Sequence, residues 1–263
     1  MSAFADRAAL DVQPPLVRTE DGRRTLEFTP GDIQSEMLLA RPDALVLDYT
    51  RAMMCFALFA PRPRHIVMVG LGGGSLAKFC YRHFAHARIT VLEVRADVIA
   101  LRGQFMVPPD DARLRILHCD AAEYLARTPD SADVLLVDGF DSAGLPPGLC
   151  SAAFYADCRR ALRPGGVLVA NVFTYDPGYA AALARLRGVF GDRLGWLRGA
   201  AGNNRILFAM RGAGSPLFER LARQDGWGWG WCNRLLIRLL VAWLGRRVVE
   251  SRPHRTNESP EKT

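Results

Sequence analysis

The segment Val69-Gly70-Leu71-Gly72-Gly73-Gly74-Ser75 follows an apolar run and opens a stretch with helical patterning. Glycines in such a turn let the backbone bend sharply and approach a ligand with no Cβ in the way. Glu93 ends the next apolar run, where a doubly wound fold sets a carboxylate against ribose hydroxyls. Asp120 and Asp138 follow the two apolar runs after that. Read singly, each has a structural explanation: a tight turn, a solvated loop acid, or a helix N-cap at Asp120. Together they converge on one crevice and point to a nucleoside site. Position 75 is Ser, so the spacing is not G-x-G-x-x-G, and no Walker lysine follows. A nucleoside without pyrophosphate is therefore expected.

Asp138-Gly139-Phe140-Asp141 delivers two carboxylates three positions apart after the apolar run Asp133–Val137. Such a pair can hold a cationic amine, accept its proton, and stabilise the positive charge of a sulfonium donor. The structural alternative is loop capping of a helix that begins near Ser151.

Positioning these groups requires a regular frame. Leu16–Glu20 and Arg23–Phe28, joined by Asp21-Gly22, read as a hairpin, and Ile33–Leu39 as a third strand. Asp43–Phe59 has helical length and an apolar face through Leu45, Tyr49, Met53 and Phe56. Strands and helices then alternate. The expected strands are His65–Val69, Arg88–Leu92, Leu114–His118, Asp133–Val137 and Val167–Val172. The expected helices are Leu76–His83, Ala96–Phe105, Ala121–Ala126, Ala152–Leu162 and Gly178–Val189. Leu194–Leu197 and Arg205–Met210 form a closing antiparallel pair. This is an α/β doubly wound sheet with the layout of class I methyltransferase-like (Rossmann-like) folds, preceded by a small N-terminal β-hairpin region. The division is 1–60 for that region and its linking helix, 61–212 for the nucleoside-binding domain, and 213–263 for a tail.

Composition narrows the partners. The 263 residues are 49% hydrophobic and 23% charged, which suits a globular domain and excludes a disordered or fibrous chain. Six cysteines without a C-x-x-C pair fit reduced thiols in a cytoplasmic protein, and the five histidines show no metal spacing, so no metal is expected. No basic region followed by an apolar one opens the chain, and no run of eighteen apolar residues occurs, so neither a signal peptide nor a membrane span is expected.

Residues 33–173 resemble the spermidine/spermine synthase (polyamine aminopropyltransferase) family, on a bacterial spermidine synthase-like branch. The resemblance is carried by Ile33-Gln34-Ser35, Tyr49, the glycine turn, Leu92-Glu93-Val94, Cys119-Asp120-Ala121, the run from Asp133 to Asp141, Phe154-Tyr155 and Leu162-Arg163-Pro164-Gly165-Gly166. It implies aminopropyl transfer from decarboxylated S-adenosylmethionine to a diamine such as putrescine. It also implies roles: Gly70, Gly72, Gly73, Gly74 and Glu93 for the donor, with Glu93 on its ribose, and Asp120 and Ala121 for its adenine. Asp138 would be the base that frees the attacking amine, and Asp141, Gln34 and Tyr49 would hold the acceptor. Gly73 stands where the family carries an aspartate. That difference suggests room for the carboxylate of intact S-adenosylmethionine, and with it a methyltransferase alternative. A non-catalytic nucleoside-binding or scaffold protein is the third reading.

The net charge of +7 is unevenly spread. Residues 1–210 carry 24 basic and 22 acidic residues, and 211–263 carry 10 and 5. The excess therefore belongs to the tail, where Trp227, Trp229 and Trp231 precede the apolar Leu235–Leu244. Two readings suit such a segment: a helix packed on its own domain or across a homodimer, or one in peripheral contact with an anionic membrane. No basic stripe marks the sheet domain, so nucleic acid is not expected as a partner.

Overall fold

The computed structural model describes residues 14–139, 144, 146–197, 201, 203–212, 218 and 235–243. Strands β1 (Leu16–Glu20), β2 (Arg23–Glu27) and β3 (Ile33–Leu38) form a three-stranded antiparallel sheet. Asp21 and Gly22 both take positive φ, as a two-residue hairpin turn between right-twisted strands requires.

The linking helix is shorter than its apolar periodicity suggests. Helix α1 spans Asp48–Met53 and continues as a 3₁₀ turn over Met54–Leu58. Residues 43–47 stay out of it because the Arg51 guanidinium takes the carbonyls of Leu45 and Val46, at 2.8 and 2.6 Å. Those carbonyls would otherwise serve a helix ladder.

The main domain alternates β4 (His65–Val69), α2 (Ser75–His83), β5 (Arg88–Glu93), α3 (Ala96–Ala100), β6 (Leu114–His118), α4 (Ala121–Arg127), β7 (Ala132–Val137), α5 (Ala152–Ala161), β8 (Leu162–Phe173), α6 (Tyr179–Phe190), β9 (Leu194–Trp196) and β10 (Asn204–Met210). The sheet order is β6-β5-β4-β7-β8-β10-β9, with β10 antiparallel between β8 and β9. Helix α3 stops at Ala100 and not at Phe105, in a turn where Met106 takes φ +53°. Strand β8 absorbs the Arg163-Pro164-Gly165-Gly166 turn, with Leu162 already paired to Ala132 across a register shift.

Alternation along the strands fills both faces of the sheet. Ile66, Met68, Val134, Leu136 and Phe208 pack on one side with α1 and α2, while Val67, Val69, Leu135, Val137 and Leu168 pack on the other with α4, α5 and α6. Strands β4 and β7 are parallel neighbours, but successive strands are added outward on opposite sides of them, β5 and β6 beyond β4 and β8 beyond β7. A crevice forms at such a switch point, beyond the carboxyl ends of the strands.

Phe218 is buried against Phe59, with ring centroids 5.1 Å apart. Residues 235–243 are helical and bury Ile237 in the core, while Leu235, Leu236 and Leu239 stay exposed. Trp227, Trp229 and Trp231 lie outside the described residues. Among the described residues, no helix is long and apolar enough to cross a membrane, and no cluster of metal-ligating side chains occurs.

Candidate active site

The switch point opens into a cleft of 680 Å³. Its lining brings together Gln34, Tyr49, Gly70, Gly72, Glu93, Asp120, Ala121 and Asp138. Five carboxyl ends supply it: β4 with the glycine turn, β5 with Glu93, β6 with Asp120, β7 with Asp138 and β8 with Asn171 and Phe173. The N-terminal sheet roofs one side through Phe28, Asp32, Gln34 and Ser35.

The glycine turn is shaped by close approach. Gly70 has φ +92°, and a Cβ there would stand 2.4 Å from the main-chain oxygen of Asp138. Only glycine allows β4 and β7 to leave the sheet side by side at this point. Gly72 and Gly74 also have positive φ.

Gly73 and Gly74 turn away from the cleft. A Cβ on Gly74 would meet Val107 at 2.3 Å. One on Gly73 would meet the Ser35 hydroxyl at 2.6 Å and the Phe105 ring at 2.8 Å. A side chain at position 73 would therefore collide with β3 and with the turn after α3. Sequence spacing could not show this, because the two residues lie 38 positions before and 32 after Gly73.

Glu93 is 7% exposed and tied to the turn. Its Oε2 accepts the Leu71 N–H at 2.7 Å, and its Oε1 accepts the Arg95 N–H at 2.9 Å. Burial raises its pKa, against the lowering effect of these backbone donors. The Val94 N–H is a third backbone donor to this carboxylate, which leaves one acceptor site for a hydroxyl. Asp120 caps α4, its Oδ1 accepting the Ala122 N–H at 2.7 Å, while the residue itself lines the cleft.

Asp138 lines the cleft together with Glu93, Asp120, Gln34 and Tyr49. Its Oδ1 accepts an N–H of Asn171 at 2.9 Å, and the Tyr49 phenol donates a second hydrogen bond. Desolvation raises the Asp138 pKa and both donors counteract it. The Tyr49 phenol is pushed well above its ordinary value by burial and then by Asp138. Such a carboxylate, held by two donors and facing a cleft, can accept a proton from a bound amine. Gln34 is fixed at the rim by its amide N–H to Asp32, at 2.8 Å. Asp141 lies outside the described residues.

Residues 47–178 match the family model for the spermine/spermidine synthase domain. The chain belongs to that family. It is 37% identical to the polyamine aminopropyltransferase of Chromobacterium violaceum, over 78% of this chain and 79% of that one. The same identity holds to the polyamine aminopropyltransferase of Neisseria meningitidis, over 69% and 70%. Its fold is that of a probable spermidine synthase from Corynebacterium glutamicum, with a TM-score of 0.66 at 20% identity and 95% of both chains covered. The spermidine/spermine synthase resemblance and the class I methyltransferase-like sheet expected from the sequence both hold, and the chain is a transferase.

Asn171, Asn204, Phe173 and Tyr175 also line the cleft and were not among the expected site residues. Asn171 did leave a signal: it is the one amide inside the apolar run Val167–Val172. An amide buried in a central strand needs a polar partner.

Proposed function

We propose that this chain transfers the aminopropyl group of decarboxylated S-adenosylmethionine to a diamine such as putrescine. The observation that supports this reading is Asp138 itself, a carboxylate held by Asn171 and Tyr49 that lines one cleft with Glu93, Asp120 and Gln34. Glu93 binds the donor's ribose, Asp120 and Ala121 its adenine, and Gly70 and Gly72 let its chain run close to the backbone. Gln34, Tyr49 and Asp141 hold the acceptor.

The reaction is a displacement at the carbon beside the sulfonium. The amine nitrogen forms the new C–N bond as the C–S bond breaks, its proton passes to Asp138, and methylthioadenosine leaves. Alignment of amine and C–S bond in one enclosed cleft supplies a large share of the rate. The methyltransferase alternative predicts turnover of intact S-adenosylmethionine in place of the decarboxylated donor.

The assembly reading is a homodimer of two-part protomers, residues 1–60 and 61–212, in the cytoplasm. The exposed Leu235, Leu236 and Leu239 offer a face for that contact or for a membrane surface.

Incubation with each donor and a panel of amines tests the activity. Methylthioadenosine from the decarboxylated donor is expected. S-adenosylhomocysteine from the intact donor, without methylthioadenosine from the other, would overturn the reading.

A further inference from the structure

We propose that Asn204 is a positioning residue that fixes the amide of Asn171 so that its N–H, and not its C=O, faces Asp138. The inference rests on the reading of Asp138 as the base.

A carboxylate offers only acceptors, so the group next to it must donate. Asn171 donates its Nδ2–H to Asp138 Oδ1 at 2.9 Å, which turns its own carbonyl away. There Asn204 donates its Nδ2–H to Asn171 Oδ1, also at 2.9 Å. Strands β8 and β10 set this meeting. Asn204 pairs with Phe173 and Ile206 with Asn171, so the two asparagines are diagonal neighbours on one sheet face. Asn171 is 2% exposed, which leaves little access for bulk water to take over from Asn204.

The amide of asparagine is nearly symmetric in shape and opposite in polarity at its two ends. A half-turn of Asn171 would place its carbonyl against Asp138, an arrangement that suits only the protonated acid. By penalising that half-turn, Asn204 favours the ionised form a base needs. Among the described residues, the titratable groups of this cleft besides Asp138 are the Tyr49 phenol from α1, which donates to it, and Asp32, Glu93, Arg95, Cys119, Asp120 and Tyr175.

The test compares Asn204→Asp with Asn204→Ala. Aspartate is close in size to asparagine but accepts where asparagine donates, so it draws the Asn171 N–H away from Asp138. A purely structural role makes alanine the worse change; the proposed role makes aspartate worse. Two readouts apply: the acidic limb of the kcat profile, and the pH titration of the ¹³C-labelled Asp138 carboxyl, assigned with Asp138→Asn.

Asn204→Asp is expected to move both midpoints up by about one pH unit or more, Asn204→Ala by less, with donor KM within about twofold of the unaltered protein. The same change in an Asn171→Leu background separates the relay from the added charge, and there its effect must shrink by at least about half. Titration of Asn204→Asp with the unaltered protein, a larger shift for alanine, or an undiminished effect in the Asn171→Leu background would overturn the proposal. Full turnover by Asp138→Asn together with the expected carboxyl shifts would instead remove the base reading and leave the relay standing.

Discussion

Gly70 lies directly against the main chain of Asp138, so close that a Cβ would fall 2.4 Å from the Asp138 carbonyl oxygen. The glycine turn and the segment bearing Asp138 are thus one packed unit, joined across neighbouring strands. Gly70→Ala adds both this clash and a left-handed strain. It is expected to cost about 2–4 kcal/mol of stability and to displace Asp138. Chemical denaturation checks the first effect, and a fall in kcat beyond that in donor affinity checks the second.

Glu93 holds the turn through its carboxylate and lines the cleft, where the proposed function sets it against the donor's ribose. Glu93→Gln keeps one acceptor but sets an amide N–H against Leu71 or Arg95. Donor affinity should fall about 10- to 100-fold, with kcat at saturating donor changing less. Calorimetry with the decarboxylated donor measures it.

Lys78 is buried beneath the N-terminal sheet, its ammonium donating to the Phe105 carbonyl at 2.7 Å and to the Met37 sulfur at 3.0 Å. Burial lowers its pKa to about 8. The folded state therefore releases this proton before the unfolded chain does, and stability rises with pH from about 8 towards the unfolded value near 10.5. Lys78→Met should lack that rise. Melting curves of both proteins from pH 7 to pH 10 are expected to show the unaltered chain gaining on the variant, and parallel curves would contradict this.

Asp138 has a raised pKa in the folded protein, chiefly from burial. Stability associated with it is full below the unfolded pKa and declines as pH rises through the folded one, because the ionised form is the costly one. Asp138→Asn should melt at or above the temperature of the unaltered protein at pH 7. A lower melting temperature would show that its hydrogen bonds outweigh its desolvation.

Much of this frame is legible in the sequence, and the exceptions have physical causes. The strands around Val67, Val91 and Leu135 are largely apolar runs closed by glycine or acid, and the one around Ile116 runs through His118 and Cys119 to Asp120, so both their type and the convergence of Gly70, Glu93, Asp120 and Asp138 can be read directly. The start of α1 cannot, since it depends on Arg51 capturing the carbonyls of Leu45 and Val46. Nor can the crowding of position 73 by Ser35 and Phe105, nor the pairing of Asn171 with Asn204 across 33 positions. These are tertiary contacts with no local period to announce them.

The central claim is that Asp138 takes the proton of the attacking amine. Methylthioadenosine release from the decarboxylated donor and putrescine, compared between the unaltered protein and Asp138→Asn at saturating substrates, tests it most directly. A rate loss of about 100-fold or more with unchanged donor affinity is the expected result. Equal rates in the two proteins would contradict it.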